Sequence, residues 1–268
     1  YSVAADTFKK VLEEETNGSV KAELYPGGQL GGDRDMFEAI QMGTLDVAIN
    51  SSPVIAGFTD VLIGVDMPYL FANDYDVLWE AQTGEPGKKL LKRLEEETGV
   101  KPLSFVFQPF RHFYTNKEIK SIDDFKGLKL RSMETPIHMA IYSAMGASPT
   151  TLPYNDIYSA MQQGTIDGFE SDVIGAYTSK FYEVAQNLTV SGHFNNSIVL
   201  VASSKLYDSL TPDEQEAIQA AADAAARASM DITVQQNDKY LAEMESKGLT
   251  INEIDMGPVY AAVQPVID

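Results

Sequence analysis

Cysteine is absent from the 268 residues of the chain, and histidine occurs only three times. Without cysteine there is no disulfide, no thiol nucleophile and no thiolate-ligated metal centre. His112, His138 and His193 show no metal-ligand spacing, and the glycine-rich segment 26–32 lacks the pattern of a nucleotide-binding loop. We therefore expect no metal, no cofactor and no catalytic residue, and we interpret the histidines as ordinary polar or core residues.

Positive charge is also scarce. Lysine and arginine total 20 against 39 acidic residues, which gives a formal net charge of −19. Such a chain repels phosphate backbones and anionic lipid surfaces, so nucleic acid is an unsuitable partner. The longest apolar runs, such as residues 61–65, are far shorter than the ~20 residues that a membrane-spanning helix needs.

Apolar residues are plentiful, at 44% of the chain, and the length favours two domains. Helical and strand patterns alternate along the first two thirds, which predicts an α/β fold with parallel sheets and crossover helices. The patterns include a strand at 20–25 and one long helix at 75–94. Thr211 and Glu214 have the spacing of a capping box, which predicts that a long helix begins there and continues to about residue 247.

One segment of the chain recurs. Residues 36–46 align with residues 157–167 at a constant offset of 121 residues, with five identical positions. The pattern of each copy predicts a helix, a glycine cap and a strand that begins with aspartate. The repeat favours two similar α/β lobes, although convergence of helix–glycine–strand junctions through turn chemistry alone is the alternative.

Two of the five arginines follow apolar strand patterns. Arg111 and Arg131 come after such segments, and ligands bind near the ends of strands in open α/β sheets. A guanidinium group matches a carboxylate with two parallel hydrogen bonds, so two arginines would suit an organic acid. The alternative is that each arginine pairs with a surface acid. Acid pairs such as Asp123 with Asp124, or Glu170 with Asp172, could serve acid–base chemistry, but such pairs arise by chance in an acidic chain and we expect most of them to be solvated.

Several longer motifs carry a family resemblance. The segments at 127–133, 145–150 and 158–168, together with Tyr25–Arg34, are similar in sequence, order and spacing to the solute-binding proteins of tripartite ATP-independent periplasmic (TRAP) transporters, of the DctP type. The similarity covers nearly the whole chain. It also implies that the family's first strand and the following loop precede Tyr1, so we expect a segment upstream of this sequence.

The resemblance implies a two-lobe α/β periplasmic binding protein, or Venus flytrap, with mixed sheets, strands that cross between the lobes and a long bracing helix. Residues 1–107 would form mainly lobe I and residues 108–195 mainly lobe II, with the crossover strands and the long helix in 196–268. It further implies a monomeric, non-enzymatic protein in the periplasm or another extracytoplasmic location, membrane-anchored if it is a lipoprotein. Such a protein delivers a small organic acid to TRAP membrane permease subunits.

The resemblance also implies a ligand site in which Arg131 holds the carboxylate of the solute. Arg111 matches a second, less universal arginine. Other positions that line the cleft in similar proteins are Ser51, Glu134, Tyr154, Ser171 and Asn196. Many relatives have asparagine where this chain has Ser171, which leaves the polar end of the solute open. The solute is expected to be a sugar acid, such as a hexuronate or an aldonate, or a C4-dicarboxylate. Ser171, Glu134 and Tyr154 favour the hydroxyl-rich sugar acid, whereas a short dicarboxylate would prefer additional cations.

Two other interpretations of the sequence remain open. One is an α/β enzyme acting on a small carboxylate, with Glu170, Asp172 or His112 as the base. The other is a ligand-sensing domain of a receptor or regulator. The absence of a nucleophile motif, a metal cluster and a cofactor fingerprint disfavours the enzyme.

Overall fold

Helices and strands alternate along most of the chain in the computed structural model, which describes residues 2–267. The α-helices are α1 (Ser2–Glu15), α2 (Asp33–Gln41), α3 (Ser52–Ile55), α4 (Tyr75–Thr83), α5 (Glu85–Thr98), α6 (Pro136–Ala144), α7 (Ile157–Gln162), α8 (Val173–Thr178), α9 (Ser204–Ser209), α10 (Pro212–Ser246) and α11 (Gly257–Ile267). The strands are β1 (Val47–Ser51), β2 (Lys101–Val106), β3 (Arg111–Thr115), β4 (Lys129–Ser132), β5 (Ser148–Thr151), β6 (Gly168–Asp172), β7 (Asn187–Phe194), β8 (Ile198–Ala202) and β9 (Thr250–Glu253). Short 3₁₀ helices occupy Asp60–Asp66, Ile122–Phe125, Tyr154–Asp156 and Phe181–Glu183.

The chain divides into two compact units, each made of several chain segments. The first unit comprises residues up to Val65, Asp74–Gln108 and Asn196–Val234. The second comprises Asp66–Asn73, Pro109–Asn195 and the chain from Gln235 onward.

The first unit is built on a three-stranded sheet in the order β1-β8-β2, in which both strand pairs are antiparallel. The prediction of parallel strands is therefore wrong for this sheet, because the late strand β8 inserts between the two early strands. Its core includes Phe8 and Leu12 of α1, Leu200 of β8 and the alanine stretch of α10. Small alanine side chains allow close packing of the helix in this unit.

The second unit contains a six-stranded sheet in the order β5-β4-β6-β3-β7-β9. Strand β4 runs parallel to β5 and β6, and β7 runs parallel to β9, whereas β3 is antiparallel to both of its neighbours. The fold class predicted from the sequence, α/β with mixed sheets, is confirmed.

The sequence repeat at an offset of 121 residues is also a repeat of local structure. Strands β1 and β6 differ in numbering by 121 at both ends, and each follows a helix closed by a left-handed glycine, Gly43 at φ 66° and Gly164 at φ 68°. After these glycines, Thr44 and Thr165 each donate a 2.9 Å backbone hydrogen bond to the fifth residue before them. The two copies therefore share their backbone hydrogen bonding as well as five residues.

Two predicted elements are wrong. Residues 20–25 form no strand and pair with none within 2–267, so the alternating pattern has no hydrogen-bonded ladder there. The predicted helix at 75–94 is two helices that meet at Gly84. Gly84 has extended backbone angles, and Pro86 lies in the first turn of the second helix, where a missing N–H is tolerated.

The prediction for the long helix is confirmed. Helix α10 spans 35 residues from Pro212. Glu214 accepts a hydrogen bond from the backbone N–H of Thr211 at 3.0 Å, and Thr211 Oγ1 accepts one from the N–H of Glu214 at 3.4 Å. This reciprocal pair is the capping box that the sequence indicates.

Candidate functional site

The candidate site in the second unit starts from the pairing of β3 with β6. Arg111 lies opposite Asp172, and Phe113 lies opposite Glu170. Directly opposed residues of an antiparallel pair place their side chains on the same face, and so do residues two apart on one strand. The register therefore gathers Arg111, Glu170 and Asp172 on a single face of the sheet.

Arg111 and Glu170 form a buried two-pronged ion pair. Arg111 donates from Nε to Glu170 Oε2, and from Nη2 to Oε1 at 3.2 Å and to the backbone oxygen at 3.1 Å. Its Nη1 also lies 3.5 Å from Asp172 Oδ2. The three residues are only 1–3% exposed. Glu170 and Asp172 are thus an exception to the expectation that most acid pairs are solvated. For Arg111, the alternative of a surface ion pair is wrong.

Arg131 lies on β4, next to β6. Its Nε donates to the carbonyl of Leu152 at 2.7 Å, and its Nη1 lies 3.8 Å from Glu170 Oε1. At that distance Nη1 makes an ion pair but no hydrogen bond, and it has no hydrogen-bond partner among residues 2–267. One donor of a buried guanidinium is therefore left for another acceptor.

The pKa values in this cluster follow from burial and opposite charge. Burial alone would lower the pKa of Arg111, but the attraction of Glu170 and Asp172 outweighs it and raises the pKa. Burial alone would raise the pKa of Glu170, whereas the attraction and hydrogen bonds of Arg111 lower it to about 2. For Arg131, burial prevails over Glu170 and lowers the pKa. Arg111 is thus neutralised within the protein, and Arg131 is the less compensated cation.

The other predicted residues of this unit differ in their placement. Ser171 is fully buried on β6, and its Oγ has no hydrogen-bond partner among the described residues. Tyr154 is half-buried in a 3₁₀ helix, with its hydroxyl 3.2 Å from Ser179 Oγ. The Ser171 and Tyr154 hydroxyl oxygens both lie beside Gly175. A Cβ at that position would be 3.3 Å from Ser171 Oγ and 3.0 Å from the Tyr154 oxygen. Glu134 is exposed in the turn between β4 and α6.

Ser51 and Asn196 lie in the first unit, together with an acid that sequence reasoning missed. Asp33, at the start of α2, accepts hydrogen bonds from the hydroxyl of Ser51, from its backbone N–H at 3.0 Å, and from Asn50 Nδ2 at 2.7 Å. Burial raises the pKa of Asp33, and these hydrogen bonds partly offset the rise. Asn196 is buried just before β8, and its Oδ1 is without a partner among residues 2–267. The sequence marks Asp33 only as the possible start of a helix. Nothing in the sequence indicates that its carboxylate accepts hydrogen bonds from Asn50 and Ser51.

All three histidines occupy interior or half-buried positions in the second unit. Burial lowers the pKa of His112 and of His138 to about 4, and that of His193 to about 3. The rings of His138 and His193 stack on Phe194 and Phe113, at centroid distances of 4.3 and 4.1 Å. These two are core residues, as expected, and all three are neutral at neutral pH.

None of the helices in residues 2–267 is both long enough and apolar enough to cross a membrane. No three histidine, aspartate or glutamate side chains in that range could together hold a metal ion.

Comparisons with known proteins identify a family and several relatives of this chain. The family model of bacterial extracellular solute-binding protein, family 7, matches residues 1–268. A solute-binding protein of Verminephrobacter eiseniae is 34% identical over 98% of this chain and 79% of its own. The C4-dicarboxylate-binding periplasmic protein DctP of Rhodobacter capsulatus is 32% identical, over 92% and 74%. A crystal structure of a TRAP periplasmic solute-binding protein from Polaromonas sp. JS666, bound to D-erythronate, is 31% identical. It has a TM-score of 0.95 and covers 99% of this chain and 88% of that chain.

Proposed function

Because the chain belongs to the bacterial extracellular solute-binding proteins of family 7, we propose that it captures a small organic acid through Arg131 and delivers it to TRAP membrane permease subunits. The two-lobe α/β binding-protein fold predicted from the sequence is confirmed by the solved structures of TRAP solute-binding proteins that it resembles. The location that we propose is periplasmic or otherwise extracytoplasmic.

The observation that carries this proposal is the state of Arg131. Its guanidinium group is buried, anchored through Nε to Leu152, and has an unsatisfied Nη1 donor. A buried donor without a partner is unfavourable by roughly 1–3 kcal/mol, so a ligand oxygen that accepts from it gains affinity. Because the donor is also charged, a carboxylate is the acceptor that suits it best.

Arg111 has a different role in this account. Its guanidinium is held by Glu170 and Asp172, which keeps it rigid but leaves it neutralised. We propose that Arg111 contributes a supporting hydrogen bond and that Arg131 makes the charge-selecting contact. Rigid placement lowers the entropy lost on binding.

Ser171 supports the sugar acid as the solute. Its buried hydroxyl, without a partner among the described residues, can donate to or accept from a solute hydroxyl. D-Erythronate, bound by the similar Polaromonas protein, carries a carboxylate and several hydroxyls on four carbons. A C4-dicarboxylate, named for the Rhodobacter relative, would require a second cation. Within the second unit Arg111 is already neutralised, so a hexuronate or aldonate is the solute class that we favour.

An enzyme remains the alternative function, and the geometry weakens its candidate bases. Glu170 has a pKa of about 2 and is bonded to Arg111, so it is a poor proton acceptor near neutral pH. His112 Nδ1 already accepts two backbone hydrogen bonds. The contributions of Ser51, Glu134, Tyr154 and Asn196 to ligand binding, the lobe boundaries at residues 107 and 195, and the monomeric state stay predictions.

A thermal-shift screen tests the proposal. The panel contains C4-dicarboxylates, hexuronates, aldonates, keto acids and sialic acids, with neutral sugars and amines as controls. A ligand raises stability by RT ln(1 + [L]/Kd), so a 100-fold excess over Kd adds about 2.7 kcal/mol. We expect a shift with one acid class that is lost in Arg131→Ala. No shift with any acid, or turnover of an acid, would contradict binding-only function.

A further inference from the structure

Strand β7 carries an insertion opposite β3, beside the arginine site. Arg111 pairs with Phe194 and Phe113 pairs with Thr189, so the single residue His112 faces four residues of β7. We call these four, residues 190–193, the β7 bulge. Bulged residues lose ladder hydrogen bonds and need other partners for their backbone groups.

The imidazole of His112 supplies a hydrogen-bond acceptor for two backbone N–H groups of the bulge. Its Nδ1 accepts hydrogen bonds from the backbone N–H groups of Ser191, at 3.2 Å, and Gly192, at 3.0 Å. A ring nitrogen that accepts cannot carry a proton, so the ring is the neutral tautomer protonated on Nε2. The lowered pKa of His112, about 4, agrees with that state.

The bulge is also held from its other side. The N–H of Tyr69 donates to the carbonyl of His193 at 3.0 Å. Gly192 has a φ of +53°, and a Cβ there would overlap the side chain of Asn73. The backbone of the bulge is therefore fixed between the imidazole of His112 and the segment 69–73.

Contacts from the bulge lead back to the arginine site. Ser191 Oγ lies 2.7 Å from His193 Nδ1 and 3.5 Å from the carbonyl oxygen of Arg111. The His193 ring lies parallel to that of Phe113 at 4.1 Å, on the face of β3 that carries Arg111. A displacement of the bulge would thus move the backbone on which the Arg111 guanidinium depends.

We propose that His112 is a positioning residue, which holds the β7 bulge through its neutral Nε2–H tautomer and thereby fixes Arg111 for solute binding. The part that concerns binding rests on the function proposed above. His112 would act without touching the solute. Its importance would lie in Nδ1 as an acceptor, so a side-chain amide oxygen at the same position should replace it.

Three variants separate this role from general stability. His112→Ala removes the acceptor, and His112→Asn offers an amide oxygen, Oδ1, attached to Cγ as Nδ1 is in histidine. His138→Ala is the matched control, because it removes a buried imidazole of the same unit whose ring nitrogens have no hydrogen-bond partner among residues 2–267. Amide hydrogen exchange of Ser191 and Gly192, and the Nε–Hε NMR signal of Arg111, are measured without ligand.

We expect exchange at Ser191 and Gly192 to rise about tenfold or more in His112→Ala, and the Arg111 signal to shift. His112→Asn and His138→Ala should keep the wild-type exchange at these two amides. The affinity for the panel acid that gives the largest wild-type thermal shift should fall about tenfold in His112→Ala and recover in His112→Asn.

The outcomes distinguish the two proposals. Unchanged exchange in His112→Ala, or an NMR spectrum with a proton on Nδ1, would overturn the role of His112 whatever the protein binds. A wild-type protein that binds an acid no more tightly than His112→Ala does would also overturn it. A wild-type protein that binds no acid of the panel would instead contradict the proposed function.

Discussion

Arg111 and Glu170 form a buried, two-pronged ion pair across adjacent strands β3 and β6, in which Glu170 also lies 3.8 Å from Arg131. One carboxylate thus faces two guanidinium groups and forms hydrogen bonds with only one of them. This asymmetry leaves the second guanidinium less compensated. It is the physical basis on which we assign the solute carboxylate to Arg131.

Breaking the pair from one side should be strongly destabilising. Glu170→Gln leaves Arg111 with only the more distant carboxylate of Asp172 and takes from Arg131 its ion pair, and we expect it to lower the free energy of unfolding by about 3–5 kcal/mol. The double variant Arg111→Met, Glu170→Met removes both charges and should recover part of that loss. Urea unfolding measures both values. A double variant less stable than Glu170→Gln would show that the ion pair itself is net stabilising.

Stability should fall as the pH drops from 6.5 towards 4. His112, His138 and His193 have folded-state pKa values of about 4, 4 and 3, below the ordinary value of about 6.5. In that window the unfolded chain binds more protons than the folded one, so stability rises with pH. Each histidine contributes a slope of up to about 1.4 kcal/mol per pH unit. Below pH 4.5 the lowered pKa of Glu170 adds a loss of the same sign.

A matched variant isolates one of these histidines. His138→Phe keeps a ring that can stack on Phe194 and removes one titrating group. Urea unfolding between pH 4.5 and 7.5 should give a slope that is shallower by up to about 1.4 kcal/mol per pH unit than that of the wild type. Identical slopes would mean that His138 is not neutral in the folded protein.

Gly168 begins β6 at a close approach of strands. A Cβ there would lie 2.7 Å from both the carbonyl oxygen of Tyr114 and Cγ2 of Thr115. We expect Gly168→Ala to destabilise the protein by about 1–3 kcal/mol through overpacking. Gly64→Ala is the control, because a Cβ at Gly64 meets nothing within 4 Å. Equal melting temperatures for the two variants would contradict the close approach.

Asp33 should matter more for stability than Asp35 on the same helix. Asp33→Ala leaves the hydroxyl and N–H of Ser51 without their acceptor, while Asn50 Nδ2 keeps only its bond to the backbone oxygen of residue 33, and we expect about 1–3 kcal/mol of destabilisation. Asp35 accepts one exposed hydrogen bond, from the N–H of Gly32 at 2.9 Å. We expect Asp35→Ala to lose only about 0.5–1 kcal/mol. Chemical denaturation compares the two, and the reverse order would refute the buried network.

Local patterns in the sequence predicted what local interactions determine. The capping box at Thr211 and the glycine-closed repeat ending in β1 and β6 were found because their signals lie within a few residues. The prediction of a strand at 20–25 was wrong because a strand is held by hydrogen bonds to a neighbouring strand. An alternating sequence pattern does not show whether such a neighbour exists. The prediction of one helix over 75–94 was wrong because it passed over a local signal, since Gly84, Pro86 and Gly87 fall together at the point where the helix breaks.

The candidate site was predictable in part for a similar reason. The two arginines could be singled out by position, and the family resemblance implied their role. The relation of Arg111 to Glu170 depends on the register between β3 and β6, which joins residues 59 positions apart, and that of Arg131 depends on the pairing of β4 with β6. In so acidic a chain, nothing in the sequence distinguishes one buried carboxylate from the solvated ones. The placement of Asp33 beside Ser51 is likewise a tertiary contact.

The most direct test of the account compares an acid with its uncharged amide. Calorimetric titration of the wild type, Arg131→Lys and Arg131→Ala with the best panel acid and with the corresponding carboxamide isolates the charge-assisted contact. We predict that the wild type binds the acid about 100-fold or more tightly than the amide, that Arg131→Lys keeps part of this preference and that Arg131→Ala loses it. An equal preference for the acid in the wild type and in Arg131→Ala would contradict the assignment of the solute carboxylate to Arg131.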